Sequence, residues 1–166
     1  MSNDVSRLAA EVACLGADAV NVNETGLVEG SLVLTRDGEL PVEYVGLSDH
    51  LITRDAGYVP VSAVYAERRD MRMVRIAPGS LGHTRPEVEM LLPWSQLVLV
   101  RDWRASALYN TRTAMVPAYR LIDGEFVTDA GVRDVTIYRL SCDAPHVMYA
   151  GGLELATGVR QAAIAA

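Results

Sequence analysis

The chain has 166 residues and half of them are hydrophobic, enough for one globular domain with a sizeable core and too many for a disordered chain. The net charge of −6 argues against non-specific binding to nucleic acid or to anionic membranes, both of which need a basic surface. No apolar run reaches the ~18–20 residues that cross a bilayer, and no basic, then apolar secretion pattern opens the chain, so the expected location is the cytoplasm.

All 15 basic residues are arginine, a usage expected from codon bias in a GC-rich genome. The alternative is an arginine patch, which would be densest at Arg68, Arg69, Arg72 and Arg75. Cys14 and Cys142 fit no CxxC metal pattern and read as small buried hydrophobes. His50, His83 and His146 are too dispersed to form a metal site. No phosphate-binding glycine loop, HExxH or GxSxG is present, so neither a metal nor a cofactor is expected.

Residues 4–16 read as a short helix capped by Asp4 or Ser6, with Leu8, Val12 and Leu15 at helical spacing and Gly16 as its stop. Residues 17–25 read as a linker. Ser31–Arg36 alternates and is rich in branched residues. Asp37-Gly38 then predicts a tight hairpin turn, with Leu40–Val45 as the returning strand. His50–Thr53 is a third strand, closed by Asp55-Ala56-Gly57. Tyr58–Glu67 predicts a strand that Pro60 confines to an edge or a start. Arg68–Arg72 reads as a charged turn. Met71–Ala77 is a further strand in which Met71 and Met73 are out of phase with Ile76, a conflict that a bulge near Val74 would resolve.

Gln96–Arg101 has the apolar content of a buried strand, whereas 102–113 is polar and variable. Phe126–Thr128 and Val132–Leu140 predict strands. Trp94 and Trp103 are expected to be packing residues. Cys142, Asp143 and His146 lie close in sequence. In an extended strand Cys142 and His146 share a face but stand ~13 Å apart, so a catalytic pair would need a turn at Pro145.

Several short motifs recur in a fixed order: Gly30-Ser31, Thr35-Arg36-Asp37-Gly38, Pro41-Val42-Glu43, Ser48-Asp49, Val74-Arg75-Ile76, Gly79-Ser80-Leu81-Gly82 and Arg85-Pro86. Met115-Val116-Pro117-Ala118, Leu121, Asp123-Gly124, Tyr138, Leu140, Asp143, Val147, Ala150, Gly152 and Leu153 continue it. Together they resemble the Hint domain, the Hedgehog/intein self-processing module, and most of all its small bacterial branch. The resemblance implies an all-β fold, a Hint-like horseshoe of bent antiparallel strands, here with a short N-terminal α-helix. It implies an N-terminal helix and linker at 1–25, the β domain at 26–157 and a tail at 158–166.

The positions that carry the family's chemistry differ. Counting back four residues from Gly30 places the nucleophilic cysteine at Gly26, which has no side chain with which to attack. The family's Ser/Thr-Pro-x-His-Arg block falls on Leu92-Pro93-Trp94-Ser95-Gln96. Leu92 then replaces the hydroxyl residue, Ser95 the histidine that protonates the leaving amine, and Gln96 its arginine neighbour. Pro145 replaces a late histidine, with His146 one position beyond it, and Arg139 lies close to where the family places another. The tail lacks the His-Asn ending of splicing inteins.

These residues predict a catalytically inactive Hint-like domain that serves as a structural or protein-interaction module, its partner another protein. A second reading is autocatalytic cleavage near residue 25 by a non-cysteine nucleophile. The candidates are Thr25 first, then Cys142 with Asp143 and His146. A third is small-ligand binding in the former cleft near Ser95 and Asp143. The sequence names neither the partner nor the oligomeric state.

Overall fold

A computed structural model describes residues 22–82 and 84–159. The helix expected at 4–16 and His83 lie outside the described residues.

Two sheets build the domain. The first runs in the order β1 (Leu27–Val28), β10 (Val127–Cys142), β6 (Ala63–Ile76), β7 (Met90–Pro93), with β13 (Gly158–Val159) also on β10. The second runs β3 (Gly38–Pro41), β2 (Leu32–Thr35), β4 (His50–Thr53), β11 (Val147–Ala150), β12 (Leu153–Ala156), β8 (Leu97–Val100), β9 (Ala114–Pro117), with β5 (Gly57–Pro60) on β4. The β10–β13 contact is parallel and the other described pairings are antiparallel. One helix, α1 (Trp103–Tyr109), lies between β8 and β9. It accounts for the polar stretch 102–113: Asp102 caps it by accepting from the Arg104 N–H, and Asn110 ends it in the left-handed conformation.

The sheets share one main core that includes Leu27, Val33, Leu51, Ile76, Val98, Val116, Leu140 and Leu155. β8 reads Leu-Val-Leu-Val and is buried at every position, as an apolar run without alternation should be.

β6 and β10 pair over nearly their full lengths, from Ala63↔Ser141 to Ile76↔Val127. The charged turn expected at Arg68–Arg72 is therefore the middle of a strand. Its residues are charged because this half of the ribbon faces water, and they pair across it, Arg68 with Asp134 at 2.8 Å and Arg72 with Asp129 at 2.6 Å. β7 covers the other edge of β6 only from Met73 to Ile76, and no described strand covers it before that. The phase conflict resolves without a bulge in β6. Met71 and Met73 pack into a small second cluster with Val135 and Ile137, while Val74 and Ile76 enter the main core on the opposite face. The register does shift at this level, but in the partner strand, where Ala130 is the extra residue between Asp129 and Gly131.

Two further expectations change. The return strand predicted at Leu40–Val45 ends at Pro41, and Val42–Tyr44 form a 3-10 turn; the turn places the Glu43 carboxylate 2.8 Å from the Gly30 N–H. The hairpin loop is Arg36-Asp37, since Thr35 pairs with Gly38. Trp94 packs against the core as expected, but Trp103 is 70% exposed on α1.

Amide hydrogen exchange distinguishes a turn from a strand at Arg68–Arg72. Alternate amides there should be protected together with those of β10, whereas a turn would exchange throughout at near the free-chain rate.

Candidate functional site

The segment before β1 enters against β6, β8 and β10 and is held atom by atom. Leu27 pairs with Tyr138, which brings Gly26 beside Arg139. Gly26 has φ +124° and is buried. A Cβ there would stand 2.5 Å from Ile137 Cγ2, 2.9 Å from the Tyr138 carbonyl oxygen and 3.1 Å from Arg139 Cγ. Both the dihedral and the space require glycine.

The Gly26 N–H donates to Gln96 Oε1 at 2.8 Å. Gln96 in turn donates from Nε2 to the carbonyls of Leu97 at 3.1 Å and Ala156 at 3.0 Å, which fixes the orientation of its amide. The Thr25 carbonyl accepts from Arg139 Nε at 3.0 Å. The Asn23 carbonyl accepts from Arg139 and from Arg69. Glu24 is held twice: its carbonyl accepts from the Ser95 N–H at 3.0 Å, and its carboxylate accepts from Ser95 Oγ at 3.0 Å. Ser95 and Gln96 are each only 3% exposed, because β7 and β8 meet there under the incoming segment.

The polarity of these contacts limits the chemistry. Cleaving the Thr25–Gly26 bond requires a proton on the leaving nitrogen. Gln96 offers that nitrogen a carbonyl oxygen, which accepts a proton rather than supplying one. Arg139 does place positive charge at the Thr25 carbonyl, where a tetrahedral intermediate would develop its own negative charge. The electrophile is polarised, but no side chain at residue 26 can attack it.

The other sequence candidates lie elsewhere. Leu92 is fully buried and pairs with Val74. Cys142 ends β10, four residues beyond the Tyr138–Leu27 pair and so ~13 Å along the strand. Asp143 is exposed and Pro145 half-buried in the turn that follows. His146 turns to Asp55, with Nδ1 2.8 Å from Oδ2, and Asp55 Oδ1 also accepts from the Val147 N–H at 3.0 Å. The His146 N–H donates to Thr157 Oγ1 at 3.0 Å. Cys142 sits at this second cluster through Thr157. Its thiol is pushed up to about 11, by burial first and then by the carboxylates of Asp143 and Asp55, with Thr157 partly opposing them. A thiol so protonated is a poor nucleophile at neutral pH.

Sequence reasoning missed Glu24 and Asp55 as site residues, named Arg69 only within a possible arginine patch, and singled out Arg139 only by its place in a motif. A charged residue two positions before Gly26 was the available signal for Glu24.

The fold and this arrangement can be set against known proteins. A family model described as Hint domain matches residues 25–160. The chain belongs to the Hint domain family. The all-β architecture agrees with that of solved inteins and intein-like domains. The bacterial intein-like domain from Clostridium thermocellum is 14% identical, covering 80% of this chain and 97% of its own, with a TM-score of 0.54. The AceL NrdHF class 3 split intein, in a splice-inactive variant, is 11% identical over 82% of this chain and 99% of its own, with a TM-score of 0.52. The MchDnaB-1 intein is 14% identical over 80% and 99%, also at 0.52. At these identities the likeness is one of fold. No curated protein matches the chain.

Two measurements test this geometry in the Hint domain. Gly26→Ala should lower the unfolding free energy by about 3 kcal/mol in chemical denaturation, from overpacking and backbone strain together. The Cys142 thiol is protonated in both states below its ordinary range of about 8–9. Above that range the unfolded chain ionises first. The wild type should then lose up to roughly 2–3 kcal/mol between pH 9 and 11 relative to Cys142→Ala.

Proposed function

We propose that this Hint domain does not process itself and serves as a structural module that anchors the segment preceding Gly26, with another protein as its partner. One observation carries the reading: the Gly26 N–H is bonded to a carbonyl oxygen, at a residue where no side chain fits. The family's reaction needs a nucleophile and a proton donor at this peptide bond, and this chain has replaced both.

The surrounding contacts support an anchoring role. Arg69, Ser95, Gln96 and Arg139 hold successive backbone groups of Asn23 to Gly26, so the segment is gripped through its main chain. Charge-assisted and buried hydrogen bonds of this kind contribute about 1–3 kcal/mol each in mutational series. A partner fused to, or recognising, the preceding residues would be presented at a fixed angle to the β6–β10 ribbon.

One contact favours a second reading. The Glu24 carbonyl accepts from the Ser95 N–H, and the next residue, Thr25, carries a hydroxyl. Attack of Thr25 Oγ on the Glu24 carbonyl carbon would break the Glu24–Thr25 C–N bond. It would leave an ester to Oγ and a protonated amine on Thr25. Attack of water, or of added hydroxylamine, on that ester carbon would then release Thr25 Oγ as a hydroxyl and the preceding segment as an acid or hydroxamate. This reading therefore predicts a cleaved product beginning at Thr25 and its loss in Thr25→Ala.

Intact mass decides between the two. Freshly purified protein should keep the full-length mass of 18.0 kDa through incubation with a strong thiol or hydroxylamine. Gly26→Cys should fail to restore cleavage, since the added side chain has no room. A fragment that begins at Thr25 or Gly26 in the wild type would overturn the inactive reading.

A further inference from the structure

A second charged cluster lies at the far end of β8. Arg54, Arg85 and Arg101 converge on the Glu154 carboxylate, at 3.1, 3.6 and 3.0 Å respectively. The Glu154 side chain is only 2% exposed, while the three arginine side chains are 32%, 31% and 36% exposed. A buried carboxylate needs a cation. It does not need three, and two positive charges are left over where the arginines reach the surface.

Their donors are only partly used. Arg54 donates a hydrogen bond to Glu154 Oε1. Glu154 Oε2 receives no hydrogen bond of good geometry, although Arg85 and Arg101 approach it. Arg85 and Arg101 meet Glu154 as ion pairs, and the donors they turn away from it have no hydrogen-bond acceptor among the described residues.

A cavity of about 470 Å³ opens beside this cluster, lined by Arg101, Asp102, Ser106, Asn110, Thr111 and Arg112. It is built by the β8–α1–β9 connection. Val100 pairs with Ala114, so Arg101 and Arg112 flank the mouth of that hairpin. The one carboxylate in the lining, Asp102, is already occupied by the backbone and guanidinium of Arg104. Arg112 is exposed and makes no ion pair among the described residues. The cavity is thus positive, of small-molecule size, and rich in free donors.

We propose that this cavity binds the anionic group of a small ligand, phosphate or carboxylate, between the guanidinium groups of Arg101 and Arg112. Planar guanidinium forks suit both anions, which they bind through paired hydrogen bonds. The Ser106 hydroxyl and Asn110 amide supply further donors. Arg101 stands five residues along the chain from Gln96, ~17 Å in an extended strand, so the site is separate from the grip on Gly26.

The full-length protein is titrated with pyrophosphate and with citrate at constant ionic strength, sodium chloride serving as the reference. The exposed Trp103 in α1, next to the lining, reports binding by fluorescence. A saturable signal and a rise in Tm are expected with at least one of the two anions. The tighter one identifies the group as phosphoryl or carboxylate. Arg112→Ala should weaken binding about tenfold and Arg112→Lys by less, while the distant exposed Arg133→Ala binds as the wild type does. Absence of saturation with both anions overturns the proposal. So does unchanged affinity in Arg112→Ala, or an equal loss in Arg133→Ala.

Discussion

Ile137, Tyr138 and Arg139 stand where a side chain at residue 26 would have to go, and the architecture around the entry segment depends on that contact. With only hydrogen at Gly26 Cα, β1 lies close against β10, and the carbonyls of Asn23 and Thr25 come within reach of Arg139. The same approach brings the Gly26 N–H to Gln96 and so ties this segment to β12 through the Ala156 carbonyl. A larger residue would displace the whole set together, because each donor in it serves a backbone group fixed by the next.

This coupling bears on any attempt to place a nucleophile at residue 26 by a single replacement. A cysteine at 26 would push the segment away from Arg139, the group that polarises the Thr25 carbonyl. A histidine at 95 would remove the hydroxyl that holds Glu24, and Gln96 would still face the amide as an acceptor. The residues at 26, 95 and 96 form one arrangement around the entering segment.

Much of the fold was legible in the sequence because the order of short motifs constrains topology more than any one of them does. His50–Thr53 carries its boundaries in its own composition, and Gly26 was visible as a position without a nucleophile. The ribbon was not legible. Arg68–Arg72 has the charge of a turn, and nothing local shows that β10 supplies opposite charges at Asp129 and Asp134 across the pair. The bulge was placed at the right level on the wrong strand, since alternation in β6 records burial on two faces and says nothing of its partner's register. Gln96 was read only as a missing arginine. Two of its three hydrogen bonds depend on Gly26 and Ala156, which lie 70 and 60 residues away in the chain.

No described strand covers the edge of β6 before Met73, and this has a consequence for how molecules meet. A bare strand edge offers unsatisfied amides and carbonyls to any other extended chain, its own copies included. Here the edge runs through Glu67, Arg68, Arg69 and Asp70, so an added strand would have to strip water from a row of charges to dock. Those residues keep the longest ribbon of the molecule from growing sideways into a continuous sheet.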